Sequence, residues 1–201
     1  MTSEGEWTPL LEELLRGLVH AMNNRVTALS AFAELTALDD ATLGVDMLRR
    51  EINGVHAVSA FVGELASRSE TIEALELASV LEVALNLHGH HPRMRSVPCT
   101  LEQTGDVLPV RVPRWALLRL TLLMVDAAKR AGAAAKTPSA VVRLSGDDTF
   151  VRAHVASPEP LGADAMRLAA LCGGQLRHAN GEALLELPSL LEIRRRETTG
   201  G

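Results

Sequence analysis

Apolar residues at three- and four-residue spacing open the chain. Leu11, Leu15, Leu18, Met22, Val26, Leu29 and Ala33 form one face of a helix predicted over residues 8–37. Thr8 suits its N-cap and Pro9 its first position. Leu38-Asp39-Asp40-Ala41-Thr42 predicts a short turn. A second stripe, Val45, Leu48, Ile52, Val55, Val62 and Leu65, predicts a helix running to about Ser67. Each helix would be about 40 Å long at 1.5 Å per residue. An isolated antiparallel hairpin cannot bury both stripes. The expected solution is dimerisation into a four-helix bundle.

The pattern breaks around Ser67-Arg68-Ser69-Glu70-Thr71. Residues 76–89 then read as a helix on Leu77, Val80, Leu81, Val83, Ala84 and Leu87. Strands are predicted at 96–103 and 108–112, and a helix from Pro113 to about Ala131. A loop at 133–138 precedes strands at 140–145 and 149–156, which turn at Gly146-Asp147-Asp148. A helix at 161–172 stops at Gly173-Gly174. A last hairpin, 174–178 and 182–187, turns at Asn180-Gly181. The expected class is α+β. Residues 1–70 form a helical unit, 71–192 an α/β sandwich with helices on one face of the sheet, and 193–201 a frayed, flexible tail.

Composition narrows what such a chain can do. Of 201 residues, 47% are hydrophobic but only 2% aromatic, so the cores must be built of Leu, Val and Ala. A net charge of -5 and so few rings argue against nucleic acid and against an anionic membrane surface. The Arg194–Arg196 run reads as solvated tail. Cys99 and Cys172 form no CxxC pair, so a reduced, cytoplasmic setting is expected, with Cys172 as buried packing. The N-terminus is acidic and opens no signal peptide, and no apolar run is long enough to span a bilayer.

One residue on the first helix has a distinctive setting. At 100° per residue, His20 falls opposite the apolar stripe. Arg16, Asn24 and Thr27 share its outward row, with Gly17 and Ala21 beside it. An exposed imidazole on a rigid rod, with a hydrogen-bonding Asn one turn on, has a ring nitrogen free for nucleophilic attack. A bare surface histidine without a role has the same exposure. His88, His90 and His91 could suggest a metal, but they end a helix at a glycine and lack a further ligand, so solvated imidazoles and no metal are expected. His56 is expected to be packed or interfacial.

The string Leu18-Val19-His20-Ala21-Met22-Asn23-Asn24-Arg25-Val26-Thr27-Ala28-Leu29 resembles the H-box of sensor histidine kinases, and the hairpin around it resembles their dimerisation and phosphotransfer domain. The resemblance implies that His20 is the phosphorylated histidine and that Asn24 helps place a water or phosphoryl group. The family's acid after the histidine is Ala21 here, and its proline is Arg25. That acid assists autophosphorylation from ATP, so its loss bears on autokinase activity more than on phosphotransfer.

Residues 72–190 resemble the catalytic ATP-binding domain of the same family in reduced form. Leu122-Leu123-Met124-Val125-Asp126-Ala127-Ala128-Lys129 is similar to the N-box helix, with Asp126 in the slot of the magnesium-binding Asn. After Val155-Ala156 the family carries an Asp-x-Gly-x-Gly loop, a lid and a second glycine-rich loop. This chain reads Ser157-Pro158-Glu159-Pro160-Leu161-Gly162-Ala163-Asp164 and enters a helix at once. Two prolines remove amides that could cradle phosphate. No ATP binding is expected, and no cofactor held by this chain.

The resemblance implies a histidine phosphotransferase of a phosphorelay, a homodimer shuttling phosphoryl groups between receiver-domain aspartates through His20. Arg16, Asn23 and Thr27 would shape the docking surface. Response-regulator receiver domains and a hybrid or sensor histidine kinase would be the partners, magnesium arriving with the receiver. Two alternatives stay open at this point. One is a non-catalytic dimeric scaffold that binds a kinase or regulator. The other is a response-regulator phosphatase with Asn24 orienting water.

Overall fold

A computed structural model describes residues 5–36 and 44–199. Two long helices come first, α1 (Trp7–Thr36) and α2 (Gly44–Ala66), packed against each other. The expected turn at 38–42 lies outside the described residues. Arg25 crosses from α1 to Glu51 of α2 at 3.0 Å, and its guanidinium lies over Gly54. Arg25 is therefore a tie between the two helices.

The buried face of α1 differs from the expected stripe. Leu10, Leu14 and Leu18 are fully buried, whereas Val26 is 50% exposed. The first half of α1 packs on the rest of the molecule as well as on α2, which rotates the buried line by one position. Leu10, Leu14, Leu18, Val58 and Leu65 belong to one core with Leu117, Leu120 and Met124. Gly17 is also buried rather than outward. A Cβ there would collide with the His90 carbonyl, so glycine lets the helix backbone come close.

Beyond the hairpin follow β1 (Ile72–Leu75), α3 (Leu77–His88), β2 (Cys99–Thr104), β3 (Val110–Pro113), α4 (Arg114–Ala133), β4 (Ala140–Gly146), β5 (Phe150–Ala156), α5 (Ala163–Leu171), β6 (Gln175–Ala179), β7 (Glu182–Pro188) and α6 (Leu190–Thr199). The fold is α+β, with six helices among the described residues and a mixed sheet. Five strands run in the order β2-β4-β5-β7-β6, β2 parallel to β4 and the other neighbours antiparallel. Val142, Leu144, Val151, Ala153, Val155, Ala183, Leu185 and Leu187 alternate inwards and are buried. On the opposite face, Arg143 reaches Glu102 at 3.7 Å and Glu182 at 3.6 Å. Helices thus cover one face and charges the other.

At the centre, α4 is buried on nearly every side, Arg119, Asp126 and Lys129 included. The turn Asn180-Gly181 has φ of +54° and +75°, as a two-residue hairpin of type I′ requires.

Three elements depart from the sequence expectation. The strand at 96 begins at Cys99 instead. Pro98 has no N–H to pair, and Val97 donates to the Met94 carbonyl in a turn. Strand β1 was not expected at all; it pairs antiparallel with β3, with Glu73 opposite Val112. The region expected as a flexible tail from 193 is helical to Thr199. Ser189 Oγ accepts the N–H of Glu192 and starts the helix, while Arg195 binds Asp148 at 3.2 Å and Arg111 binds Glu197 at 2.8 Å.

Candidate functional site

His20 lies mid-way along α1 and is exposed, as are Arg16, Asn23, Asn24 and Thr27. The helix repeat alone brings His20 and Asn24 together: Asn24 Nδ2 is 3.3 Å from His20 Nε2. With the amide nitrogen as donor, Nε2 is the acceptor. The ring proton then sits on Nδ1, and Nε2 is the unprotonated nitrogen, its lone pair engaged by the Asn24 amide until a partner displaces it. Arg16 is held by Glu13 at 2.9 Å on the same outer row. Ala21 is half-buried and supplies no acid to the ring. His56, expected to be packed or interfacial, is exposed on α2 in the single chain.

The other histidines correct the expectation of solvated imidazoles. His88 and His91 are 0% and 4% exposed. Their rings stack at 5.0 Å, and both face Asp126, 38 and 35 residues further along the chain. His88 Nε2 lies 2.9 Å from Asp126 Oδ1, and Arg130 holds Oδ2 at 2.6 Å. His90 packs edge-on against Phe61 at 5.6 Å. Burial, and then the neighbouring His88, lower the His91 pKa, while Asp126 opposes this. Burial and Arg25 lower that of His90.

Ligand atoms of His88, His91 and Asp126 lie within 4.8 Å of one another, close enough to hold a metal ion. The hydrogen bonding favours a proton network instead. The Arg93 N–H donates to His91 Nδ1 at 3.2 Å, which leaves the ring proton on Nε2, the nitrogen facing Asp126. A metal would have to displace that proton beside Arg130. His88-x-x-His91 was a legible spacing in the sequence. Nothing near either residue in the chain pointed to Asp126.

Asp126 also lines a cavity of about 380 Å³ between α4 and the loop that leads into α5. Its walls include Glu6, Glu159 and Arg130, so three carboxylates face one guanidinium. The loop keeps few amides for a ligand. Pro158 and Pro160 have none, the Ser157 amide donates to the Gly181 carbonyl, and the Gly162 amide donates to Glu6 Oε1 at 2.5 Å. The N-terminus of α5 is therefore occupied by the chain's own carboxylate. The role of Glu6 was not foreseeable, because the two residues are 156 positions apart.

A helical hairpin with an exposed histidine, joined to a mixed sheet covered on one face, is the class of protein that fold and site define. No family model and no curated protein matches the chain. Several solved structures are similar to it. The cytoplasmic segment of the histidine kinase QseC is 17% identical over 73% of this chain and 95% of that one, with a TM-score of 0.47. The histidine kinase ThkA, in complex with the response regulator TrrA, is 17% identical over 92% of this chain and 63% of that one, with a TM-score of 0.48. A bacterial phosphotransferase is 15% identical over 89% of this chain and 95% of that one, with a TM-score of 0.42. At this level of similarity, the function must be argued from the site itself.

Proposed function

We propose that the protein is a histidine phosphotransferase of a two-component phosphorelay, working through His20 and without ATP-dependent autokinase activity. The observation that carries this reading is an exposed imidazole whose Nε2 takes its hydrogen bond from Asn24, one turn away on the same helix. In the forward step, the Asn24 amide gives up its hydrogen bond and the freed Nε2 lone pair attacks the phosphorus of a receiver's aspartyl phosphate. The N–P bond forms as the acyl O–P bond breaks, and the receiver's carboxylate leaves without needing a proton. The second receiver's carboxylate reverses the exchange. Arg16, Asn23 and Thr27 surround the ring on the docking face. The receiver contributes the magnesium.

The acid-lined cavity supports the exclusion of ATP. Glu6, Asp126 and Glu159 would repel a triphosphate, and Arg130 is already committed to Asp126. Asp126, in the slot of a magnesium-binding Asn, spends both oxygens on His88 and Arg130.

The hairpin exposes Val19, Val26, Val45, Met47, Ile52 and Val62, which supports a homodimer that buries them in a four-helix bundle. Domain limits near residue 70 belong to the same reading.

Incubation with a phosphorylated receiver domain tests the proposal. Acid-labile, base-stable label should appear on the wild-type chain and fall at least 100-fold in His20→Ala, while γ-labelled ATP alone should give none. Undiminished transfer by His20→Ala, or label acquired from ATP, would overturn it.

A further inference from the structure

A second cavity, of about 250 Å³, lies beside the acid-lined pocket but shares no lining residue with it, where the start of α1, the end of α2, α4 and α5 meet. Its chemistry is the opposite of its neighbour's. Arg68, Arg119 and Arg167 line it, against a single carboxylate, Asp164. Trp7 and Trp115 complete the wall, and they are the only two tryptophans of the chain. In a protein of net charge -5, this concentration of guanidinium groups is not a matter of composition.

Arg119 is the centre of the arrangement. Only 8% exposed, it lies 4.9 Å from the Trp7 ring centroid and 5.1 Å from that of Trp115. Its Nη2 donates to the Leu65 carbonyl at 3.2 Å and reaches Ser67 at 3.5 Å, closing the C-terminus of α2. That part of its role is structural. It does not account for the remaining donors: Arg119 Nε and Trp115 Nε1 are buried without an acceptor. Among the described residues, no carboxylate pairs with Arg119 or Arg68. Asp164 is shared between Arg167, at 3.0 Å, and the Trp7 amide, at 3.2 Å. Burial, then the charges of Arg68 and Arg167, push the Arg119 pKa down. The cavity therefore has two positive charges more than negative ones.

We propose that this cavity binds a small organic dianion, a dicarboxylate or a phosphate monoester, through Arg68, Arg119 and Arg167. Two negative charges match the surplus, and planar guanidinium forks suit carboxylate or phosphoryl oxygens. The volume is below the roughly 300–1,000 Å³ of drug-sized sites, so the ligand is a compact metabolite and not a nucleotide. Leu168 offers an apolar wall for a short carbon skeleton. Because Trp7 and Arg68 come from the hairpin end and the other residues from α4 and α5, a bound dianion would also fasten the two parts together. The proposal does not depend on His20 or on phosphotransfer.

The two tryptophans make the test direct. Malonate and inorganic phosphate are titrated separately into the full chain at constant ionic strength, with sodium chloride as the control, and intrinsic fluorescence is read. A saturable change with malonate or phosphate, absent with chloride, is expected, and the stronger of the two identifies the preferred head group. Arg68→Gln/Arg167→Gln, both at exposed positions, should weaken the Kd at least tenfold. Asp164→Asn keeps an oxygen for the Trp7 amide but removes the competing charge, so it should tighten binding, an outcome a misfolded variant cannot produce. No saturable change with either anion, an equal response to chloride, or unaltered affinity in both variants would each overturn the proposal.

Discussion

A histidine's surroundings decide what its ring can do, and this chain shows two contrasting cases. His20 keeps an exposed ring whose proton position is set by Asn24 alone. His91 is enclosed, and its pKa lies below 6.5 because burial disfavours the charged ring. The sign of the consequence follows from proton counting. Above the unfolded pKa near 6.5 both states hold His91 neutral, and no stability is lost. As pH falls below 6.5, the unfolded chain takes up a proton that the folded chain refuses, so stability declines. His90 contributes in the same direction. The urea midpoint should therefore drop between pH 7.5 and pH 5.5, and the drop should be smaller in His91→Gln. An equal or steeper pH dependence in that variant would show that other groups carry it.

At the level of the element, two helical glycines make opposite predictions. On propensity alone, replacing either by Ala should stabilise its helix by about 1 kcal/mol. Gly63 on α2 has open space around its Cβ position, so Gly63→Ala should gain about that much. Gly17 faces the backbone carbonyl of His90. Backbone cannot swing away as a side chain can, so Gly17→Ala should cost about 1–3 kcal/mol as the helix and the turn after α3 are pushed apart. Equilibrium urea unfolding of both variants reads the two signs. A stabilised Gly17→Ala would mean that α1 does not sit tightly on that turn. Salt links mark the neighbouring joint: Arg114 at the start of α4 holds Glu64 near the end of α2 through three hydrogen bonds of 2.9–3.3 Å.

For the whole molecule, the main consequence is how the hairpin is used. One side of the hairpin shares a core with α4 and the sheet, while other positions along it expose heptad-spaced pairs, Val19 with Val26 and Val45 with Ile52. If those pairs form the proposed bundle, Val26→Glu/Ile52→Lys should shift the protein from dimer to monomer in sedimentation velocity, with helix content largely retained. A monomeric wild-type chain at tens of micromolar would remove the bundle from the reading. The two cavities add a second consequence: one is acidic and holds the chain's own Glu6, the other basic and lined by both tryptophans.

Local patterns were enough for much of this. Period 3.6 marked both long helices, Gly146-Asp147-Asp148 marked the β4–β5 hairpin and Asn180-Gly181 the β6–β7 hairpin, because each signal lies within a few adjacent residues. The outward position of His20 and its partner Asn24 follow from the helix repeat and needed no tertiary information. A capping signal for α6, Ser189-x-x-Glu192, was also present, though masked by the charged run after it. What only the tertiary structure decided is which residues meet across the chain. Strand β1 exists because β3 pairs with it, His88 and His91 are buried because Asp126 on α4 receives them, and Glu6 reaches Gly162 because α1 folds back onto α5. Contacts of that kind depend on packing between distant segments, and no spacing rule along the sequence encodes them.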